Sequence, residues 1–186
     1  MADRIDTVVV GAGQAGLAAS RVLGRRGIEH LVLERGRVAE RWRTGRWDSF
    51  ALVTPNWTLR LPDFPYRGND PDGFLRRDAI VEHLDAYAAF VDPPIRSGCA
   101  VTRLARGRAG GRFRLDTSDG PLEARNVIVA TGTFQRPWVP RVADASPPGL
   151  PRLHVRDYVR PDALPPGGVL IVGSGQSGAQ IAWELA

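Results

Sequence analysis

The sequence predicts an α/β fold: a parallel sheet covered by helices, with an antiparallel β-meander inserted into it, followed by the start of a second unit of the same kind. Two observations carry this prediction. An apolar run rich in valine ends in a Gly-x-Gly-x-x-Gly turn at Gly11–Gly16 and leads into a helical pattern. The same order of strand, turn and helix returns at Gly173–Gly178, 162 residues later. Two such motifs in matching contexts are far more specific than one.

The first unit is predicted as a strand over Thr7–Val10, a helix over Gln14–Arg26 and a strand over His30–Leu33. A short β-branched run is typical of a buried parallel strand, which needs cover on both faces. Parallel strands require a crossover connection, and the helix between them supplies it. The opening stretch is therefore a βαβ unit, the building block of a Rossmann-like sheet.

The glycine turn after the first strand has the layout that binds a dinucleotide. Gly11 allows the tight turn, Gly13 lets a pyrophosphate approach the backbone, and Gly16 lets helix and strand pack closely. The amide groups and positive dipole end of the helix then face the phosphates. Glu34, eighteen residues after Gly16, is placed to accept hydrogen bonds from ribose hydroxyls. A surface glycine loop is the alternative, but strand, helix and acid all stand where a dinucleotide turn needs them.

The stretch 35–73 shows no clean period and holds three of the five tryptophans, together with many arginines and prolines. A structureless loop of this length inside a compact domain is unusual and tends to be functional. Aromatic faces beside arginines suit a planar, anionic ligand. A hydrophobic cover over the edge of the sheet is the second interpretation, and the two are compatible.

A second helix is predicted over Arg76–Val91, because its apolar residues fall on one face and Asp78 is placed to cap it. The sequence Asp92-Pro93-Pro94 ends this helix, since proline does not continue a helix. A short parallel strand is predicted to follow at Ile95–Gly98.

An antiparallel meander is predicted next, because strand-like runs alternate with glycine-containing turns at Gly110-Gly111 and Ser118-Asp119-Gly120. A second buried parallel strand, Asn126–Gly132, follows the meander and ends in small residues. The three runs of the meander are Ala100–Arg106, Arg112–Thr117 and Pro121–Ala124.

Residues 133–168 are irregular and proline-rich, as in a linker between domains. We divide the chain into a first domain at 1–140, a linker at 141–168 and the start of a second domain at 169–186. The last range is predicted as a strand at Val169–Val172 and a helix at Ala179–Leu185. A lone strand and helix do not bury their apolar faces, so the pattern indicates a piece of a longer protein.

Composition excludes several classes of protein. The chain has 186 residues and a net charge of +5, but all 25 basic residues are arginines scattered along the sequence, which argues against nucleic-acid binding. No apolar run approaches the roughly 20 residues of a membrane span, and the N-terminus lacks a signal layout, so we expect a cytoplasmic protein. The one cysteine, Cys99, excludes an intramolecular disulfide and a multi-cysteine metal site.

These motifs together resemble the two-dinucleotide flavoproteins and, among them, the flavin-containing (class B) monooxygenases. The first glycine turn with Glu34 matches their FAD fingerprint, and the second turn matches their NADPH motif. Ala130-Thr131-Gly132 matches the strand end that approaches the flavin, and Asp63-Phe64-Pro65-Tyr66 matches an Asp-Phe-Pro-aromatic segment. The resemblance covers nearly the whole chain.

The resemblance also implies site residues. Asn56 corresponds to the asparagine that these enzymes place beside the reactive flavin carbon, which makes it the candidate catalytic residue. The residues implied for FAD are Gly11, Gly13, Gln14, Ala15, Gly16, Glu34, Arg35, Trp42, Val101, Ala130, Thr131 and Gly132. Those implied for NADPH (or NADH) are Gly173, Gly175, Gln176, Ser177, Gly178 and His154.

One motif of these monooxygenases is only half matched. They carry Phe-x-Gly-x-x-x-His, with an aromatic residue four positions later, ahead of the second glycine turn. His154 and Tyr158 keep the second half, but Gly149 lies five residues before the histidine and Pro147 stands near the place of the phenylalanine. His154 is therefore either part of the nucleotide site or a linker residue that caps a turn.

The activity implied is NAD(P)H-dependent: reduced FAD captures O₂ as a C4a-peroxyflavin, and one oxygen atom passes to a small organic substrate. A thioredoxin-reductase-like pyridine nucleotide oxidoreductase is the first alternative. The glutathione-reductase branch needs two cysteines shortly after the ribose acid, and this sequence has none there. A non-catalytic FAD-binding module is the second alternative.

Overall fold

A computed structural model describes residues 3–107 and 111–186 of the chain. Helices and strands alternate in its first part and then give way to consecutive strands. In order along the chain, the elements are β1 Asp3–Val10, α1 Gln14–Arg25, β2 His30–Glu34, α2 Glu40–Thr44, β3 Arg60–Leu61, β4 Phe64–Pro65, α3 Arg77–Val91, β5 Ile95–Ser97, β6 Val101–Arg106, β7 Phe113–Thr117, β8 Gly120–Val129 and α4 Gln176–Leu185.

Six of these strands form one mixed sheet in the order β5-β2-β1-β8-β7-β6. β1 lies at its centre and pairs in parallel with both β2 and β8, so that Val8 is level with Leu31 on one side and Val127 on the other. Val8 and Val9 are fully buried, as their β-branched side chains predicted. The α/β fold with a largely parallel sheet is therefore confirmed.

The meander is an extension of this sheet and not a separate insertion. The predicted strands Pro121–Ala124 and Asn126–Gly132 are wrong as two elements, because the structure has one continuous strand, β8. β8 pairs in parallel with β1 from Leu122 to Val129, and its first half also pairs antiparallel with β7 on the other side. Arg125 does not interrupt the strand, because alternate side chains of a strand point outward and the side chain of Arg125 is exposed. Its guanidinium forms an ion pair with Asp6 at 3.3 Å. Gly111 has a φ of +70°, as the predicted turn requires, whereas Gly110 lies outside the described residues.

α3 begins one residue later than predicted and is capped differently. Arg76 is its extended N-cap residue, and Asp78 lies in the first turn, so the prediction of Asp78 as N-cap is wrong. An aspartate in the first turn is nevertheless favourable, because it faces the positive end of the helix dipole. The helix buries Ile80, Leu84 and Tyr87 against the core.

The stretch 35–73 is a structured cover over the sheet. It contains α2, a turn of 3-10 helix at Asn56–Thr58 and the short hairpin of β3 and β4. Trp47, Phe50 and Leu61 are buried in the same cluster as α3, which confirms the interpretation as a hydrophobic cover. Trp57, by contrast, is 49% exposed.

The second unit is only partly formed. α4 is present, but the predicted strand at Val169–Val172 is wrong, because these residues pair with no other strand among the described residues. A strand needs a neighbour for its backbone groups, and none lies beside this segment in the part of the chain that the structure describes. Leu170 is 84% exposed and Val172 is 75% exposed, while Ile171 packs against the core. No helix among the described residues is both long and apolar enough to cross a membrane.

The predicted linker lies against the first domain. Tyr158 is buried, and its ring centroid lies 6.3 Å from that of Trp47. The backbone of Asp48 donates a hydrogen bond to the carbonyl of Val159, at 2.9 Å. α4 contacts the same region, since the side-chain amide of Gln180 bonds both backbone groups of Ala51.

Candidate functional site

The turn at Gly11–Gly16 has no room for side chains at two of its three motif glycines. Gly11 has a φ of +108°, and a Cβ there would lie 2.5 Å from the carbonyl oxygen of Ala130. A Cβ on Gly16 would lie 1.8 Å from the carbonyl oxygen of Gly11. Gly13 differs, because a Cβ there meets nothing within 4 Å. The open space in front of Gly13 is where a pyrophosphate approaches the backbone in a dinucleotide turn.

The amino end of α1 faces this open space. Gly13 is an extended N-cap residue that offers no side chain, and Gln14 and Ala15 are exposed. The first amides of a helix lack partners within it and carry its positive dipole end. The turn therefore offers backbone donors and partial positive charge to an anion.

Glu34, at the end of β2, holds the turn in place. One carboxylate oxygen accepts a hydrogen bond from the backbone N–H of Ala12 at 2.7 Å, and the other accepts one from Gly36 at 2.9 Å. A carboxylate has about four acceptor positions, so two remain for other donors such as ribose hydroxyls. The acid predicted from its spacing thus lies at the turn itself.

The ends of three parallel strands meet at this place. The backbone N–H of Ala130 donates to the carbonyl of Val10 at 2.8 Å, which brings Thr131 and Gly132 beside the glycine turn. Gly132 has a φ of +77°, and the amide of Gln135 bonds the carbonyl of Thr131. In open α/β sheets, ligands bind outside the carboxyl ends of the strands.

Arg35 and Val101 border the same region. Arg35 donates a hydrogen bond to the side chain of Gln135 at 2.9 Å, which ties the end of β2 to the turn after β8. Val101 begins β6 and is half-buried, two residues after Cys99, whose N–H bonds the carbonyl of Glu34 at 2.9 Å. Trp42 of α2 is half-buried, with its ring 5.8 Å from that of Phe50.

The second glycine turn repeats the geometry of the first. Gly173 has a φ of +115°, and a Cβ on Gly178 would lie 2.1 Å from the carbonyl oxygen of Gly173. As at Gly13, a Cβ on Gly175 meets nothing within 4 Å. Gln176 and Ser177 begin α4 in the way that Gln14 and Ala15 begin α1. The glycine turn and the helix that follows it therefore have the same geometry in both copies of the repeat. The residues before the second turn, however, form no strand.

The structure does not bring the side chains of Asn56 and His154 into this arrangement. Asn56 is 2% exposed; its amide donates to the carbonyl of Asp70 at 2.9 Å and accepts from the N–H of Leu75 at 2.7 Å. Both of its polar ends thus hold the loop before α3, so the catalytic role stays a prediction. The ring of His154 accepts a hydrogen bond from the N–H of Arg156 at 3.1 Å, which is the turn-capping geometry.

Sequence reasoning missed two anchors around the site. Asp63, in the β3–β4 turn, receives hydrogen bonds from Arg21 and Arg25 of α1 at 2.9 and 3.1 Å. Arg41 of α2 donates to the carbonyl of Phe134 at 3.1 Å. The positive φ of Asp63, +61°, has no sequence signal stronger than an aspartate between two short apolar runs.

A tight glycine turn, an acid bonded to one of its amides and the carboxyl ends of parallel strands beside it define a dinucleotide-binding protein. The chain belongs to the pyridine nucleotide-disulphide oxidoreductase family, whose model matches residues 8–186. The family depends on FAD and NAD(P), as the motifs predicted.

Particular relatives resemble this chain closely. The CzcO-like oxidoreductase of Geobacillus kaustophilus is 37% identical over 183 residues, which cover 98% of this chain and 51% of that protein. Indole-3-pyruvate monooxygenase YUCCA1 of Oryza sativa subsp. japonica is 34% identical over 185 residues, which cover 96% of this chain and 44% of that protein.

Solved structures of flavin monooxygenases share the fold. The flavin-containing monooxygenase of Stenotrophomonas maltophilia is 29% identical, with a TM-score of 0.85 over 98% of this chain and 55% of that one. The predicted resemblance to flavin-containing monooxygenases is therefore confirmed. The chain spans about half the length of the relatives that it matches.

Proposed function

We propose that this chain carries the FAD site and the first part of the nicotinamide-dinucleotide site of an NAD(P)H-dependent monooxygenase. The reaction transfers one oxygen atom from O₂ to a small organic substrate. The observation that supports this most is the pair of glycine turns with the same tight geometry, one for each proposed nucleotide. The proposal includes a first domain at 1–140, a linker at 141–168, the start of a second domain at 169–186, and a cytoplasmic location.

The first turn is the proposed FAD site. The backbone amides at Gly13, Gln14 and Ala15 bind the pyrophosphate, and the free lone pairs of the Glu34 carboxylate accept from the ribose. Ala130, Thr131 and Gly132 form the wall beside the turn, and Arg35 and Trp42 border the entrance. The backbone at Gly11, Gly16 and Val101 shapes the wall of the proposed site. FAD, when bound, supplies the redox chemistry.

The second turn is the proposed site for NADPH or NADH. The space in front of Gly175 and the amino end of α4 at Gln176 and Ser177 are open, as at the first turn. Gly173 and Gly178 keep the turn tight because neither tolerates a side chain in this conformation. In this proposal His154 contributes through the backbone turn that it caps, on the segment leading to Tyr158.

Titration of the 186-residue chain with FAD tests the first site. We expect flavin fluorescence to be quenched with one FAD bound per chain, and Gly13→Val to abolish the binding because its side chain fills the phosphate space. Thermal unfolding of the variant is the control, since Gly13 has an extended φ of −85° that valine adopts readily. Equal affinity of Gly13→Val and wild type for FAD would contradict the proposed site.

The reaction is tested on a protein that contains this chain and its second half. We expect NADPH oxidation to consume O₂ and to yield one oxygenated product per NADPH. Reduction of a disulfide substrate without O₂ uptake would instead establish the reductase alternative. The one cysteine of this chain, Cys99, is buried, so a reductase would need its dithiol elsewhere.

A further inference from the structure

We propose that Arg41 and Arg46 form a second anion subsite, which binds the phosphate or pyrophosphate group of a dinucleotide beside the first glycine turn. The inference rests on the proposed dinucleotide function and adds side-chain ligands for the phosphate groups, which so far have only backbone amides as ligands. Three observations support it: the positive charge of these arginines is not neutralised by ion pairs, buried donors lack partners, and packing holds both arginines in position.

The charge around Arg41 and Arg46 is not balanced. Arg35 and Arg156 lie near enough to Arg41, and Arg41 near enough to Arg46, for repulsion to matter. Burial and these neighbouring guanidinium groups lower the pKa of Arg41, and burial and Arg41 lower the pKa of Arg46. None of the four arginines takes part in an ion pair within the described residues, although ten ion pairs are found there. Four cations held together without an acid form a site that favours an anion.

Three buried donors in the same stretch of chain lack hydrogen-bond partners among the described residues. The Nε atoms of Arg41 and Arg46 and the indole Nε1 of Trp47 are buried and have no hydrogen-bond partner among the described residues. Trp47 itself is only 2% exposed. Buried donors are nearly always paired in folded proteins, so these three unpaired donors within residues 41–47 call for an acceptor. Phosphate oxygens are strong acceptors, and arginine binds them in a forked geometry.

Local packing holds both guanidinium groups in position. Arg46 lies over the rings of Trp42 and Phe50, with its central carbon 5.3 and 5.2 Å from their centroids. Arg41 lies against Gly45, where a Cβ would stand 2.8 Å from the guanidinium carbon. Preorganised side chains lose little entropy when they bind a ligand.

Arg41 also connects this cluster to the glycine turn. Its guanidinium bonds the carbonyl of Phe134, four residues after Ala130, which contacts Gly11. This hydrogen bond ties Arg41 to the segment that follows the strand end beside the glycine turn. FAD and the nicotinamide dinucleotide both carry a pyrophosphate group, so the two sources are separated by experiment.

Calorimetric titration of the 186-residue chain with inorganic pyrophosphate tests the subsite directly. We expect Arg41→Gln and Arg46→Gln each to raise the Kd about tenfold or more, because each removes a charge-assisted hydrogen bond. Arg60→Gln is the matched control: Arg60 also lies over a tryptophan, 5.5 Å from the ring of Trp57, but is exposed on the hairpin side. Equal Kd values for wild type and both cluster variants would overturn the inference.

Parallel titrations with FAD and with NADPH identify the source. The dinucleotide whose Kd rises in Arg41→Gln and Arg46→Gln, and not in Arg60→Gln, is the one that the subsite binds. Unchanged Kd values for both dinucleotides overturn the inference even if wild type binds FAD, in which case the proposed function stands. If the wild type binds pyrophosphate but not FAD, the proposed FAD site is overturned. The subsite is then judged by the Kd values of the wild type and the variants for pyrophosphate.

Folding of the variants is checked by thermal unfolding with and without pyrophosphate. We expect the ligand to raise the Tm of wild type and of Arg60→Gln, and to leave the Tm of the two cluster variants nearly unchanged. If a glutamine variant does not fold, Arg46→Lys replaces it, since lysine keeps the charge but loses the fork. An affinity of Arg46→Lys for pyrophosphate equal to that of wild type would overturn the role of Arg46.

Discussion

Two glycines of the same helix give opposite predictions for the same substitution. A Cβ on Gly16 would lie 1.8 Å from the carbonyl oxygen of Gly11, whereas a Cβ on Gly24 meets nothing within 4 Å. We expect Gly16→Ala to lower the free energy of unfolding by about 1–3 kcal/mol or more, since the turn must open to admit the methyl group. We expect Gly24→Ala to raise it by about 0.5–1 kcal/mol, because alanine is the better helix former.

Urea unfolding of the two variants and the wild type measures both effects. A stable Gly16→Ala protein with an unchanged midpoint would contradict the close contact between the turn and α1. Both substitutions lower the conformational entropy of the unfolded chain by the same amount. Gly24→Ala therefore serves as the control that isolates the effect of the close contact at Gly16.

Tyr158 gives a prediction for alkaline pH. Its hydroxyl donates a hydrogen bond to Glu184 of α4 at 2.9 Å. Burial, this hydrogen bond and the charge of Glu184 raise the pKa of Tyr158 to about 12, from an ordinary value of 10.0. The folded protein therefore keeps the proton between these values while the unfolded chain loses it, so stability is full below pH 10 and falls as the pH rises toward 12.

We expect Tyr158→Phe to remove this part of the pH dependence. The wild type should lose about 2 kcal/mol more than the variant between pH 10 and pH 12. Chemical unfolding at several pH values measures the difference. Parallel curves for the two proteins across this range would show that Tyr158 titrates as it does in water.

At the scale of elements, Asp63 fastens the β3–β4 hairpin to α1. Its carboxylate receives Arg21 and Arg25, and its φ of +61° is one that asparagine also adopts. We expect Asp63→Asn to cost about 0.5–1 kcal/mol through the loss of charge, because the carboxylate is partly exposed. Asp63→Ala should cost about 1 kcal/mol more, since alanine disfavours this backbone conformation.

Stability measurements at low and high salt separate the two contributions. The cost of Asp63→Asn should shrink in 1 M salt, where charges are screened, while the additional cost of Asp63→Ala should persist. A salt-independent cost of Asp63→Asn would show that the ion pairs contribute nothing.

Elements were predictable where periodicity was strong and local. The bounds of α1, α3 and β2 differ from the prediction by one residue or less at each end, because β-branched runs, helical spacing and proline stops are local signals. β8 was predicted as two strands, since β1 pairs with it along most of its length while β7 pairs only with its first half, which a local pattern does not reveal. Val169–Val172 has the pattern of a strand without the neighbour that makes one.

At the scale of the whole molecule, the internal repeat provides matched positions in different surroundings. Val8 and Leu170 stand three residues before the first glycine of their turns, yet Val8 is fully buried and Leu170 is 84% exposed. We expect Val8→Ala to cost about 2–3 kcal/mol through lost burial and the cavity left behind. Leu170→Ala should change the stability of this chain by no more than about 0.5 kcal/mol.

Thermal unfolding of the 186-residue chain tests this pair. Repeating it on a longer chain, extended to the length of the relatives, is the control: a large cost of Leu170→Ala there, and not in the 186-residue chain, would show that residues of the extension bury this segment. A large cost in the 186-residue chain would contradict the exposure described.

The backbone part of the candidate site was predictable, and its side chains were not. Glycine spacing identifies the turn, and spacing from Gly16 identifies Glu34, because covalent geometry relates both to the strand ends. Arg41 and Arg46 lie in a stretch without period, so only the structure shows that Arg41 bonds Phe134 and that Arg46 lies over Trp42 and Phe50. Asn56 could not be assigned by alignment of a motif alone, because its burial and its two backbone partners depend on the tertiary fold.

The position of β8 has a consequence for how the chain folds during synthesis. β1 is the first strand to emerge, but its partner on one side is separated from it by more than a hundred residues. Long-range parallel pairing is slow to form, and an unpaired central strand with Val8 and Val9 exposed invites aggregation. We expect the nascent chain to hold β1, β2 and β5 as a half-sheet with one open edge until residues 120–129 leave the ribosome, which makes that interval the stage at which a chaperone protects it.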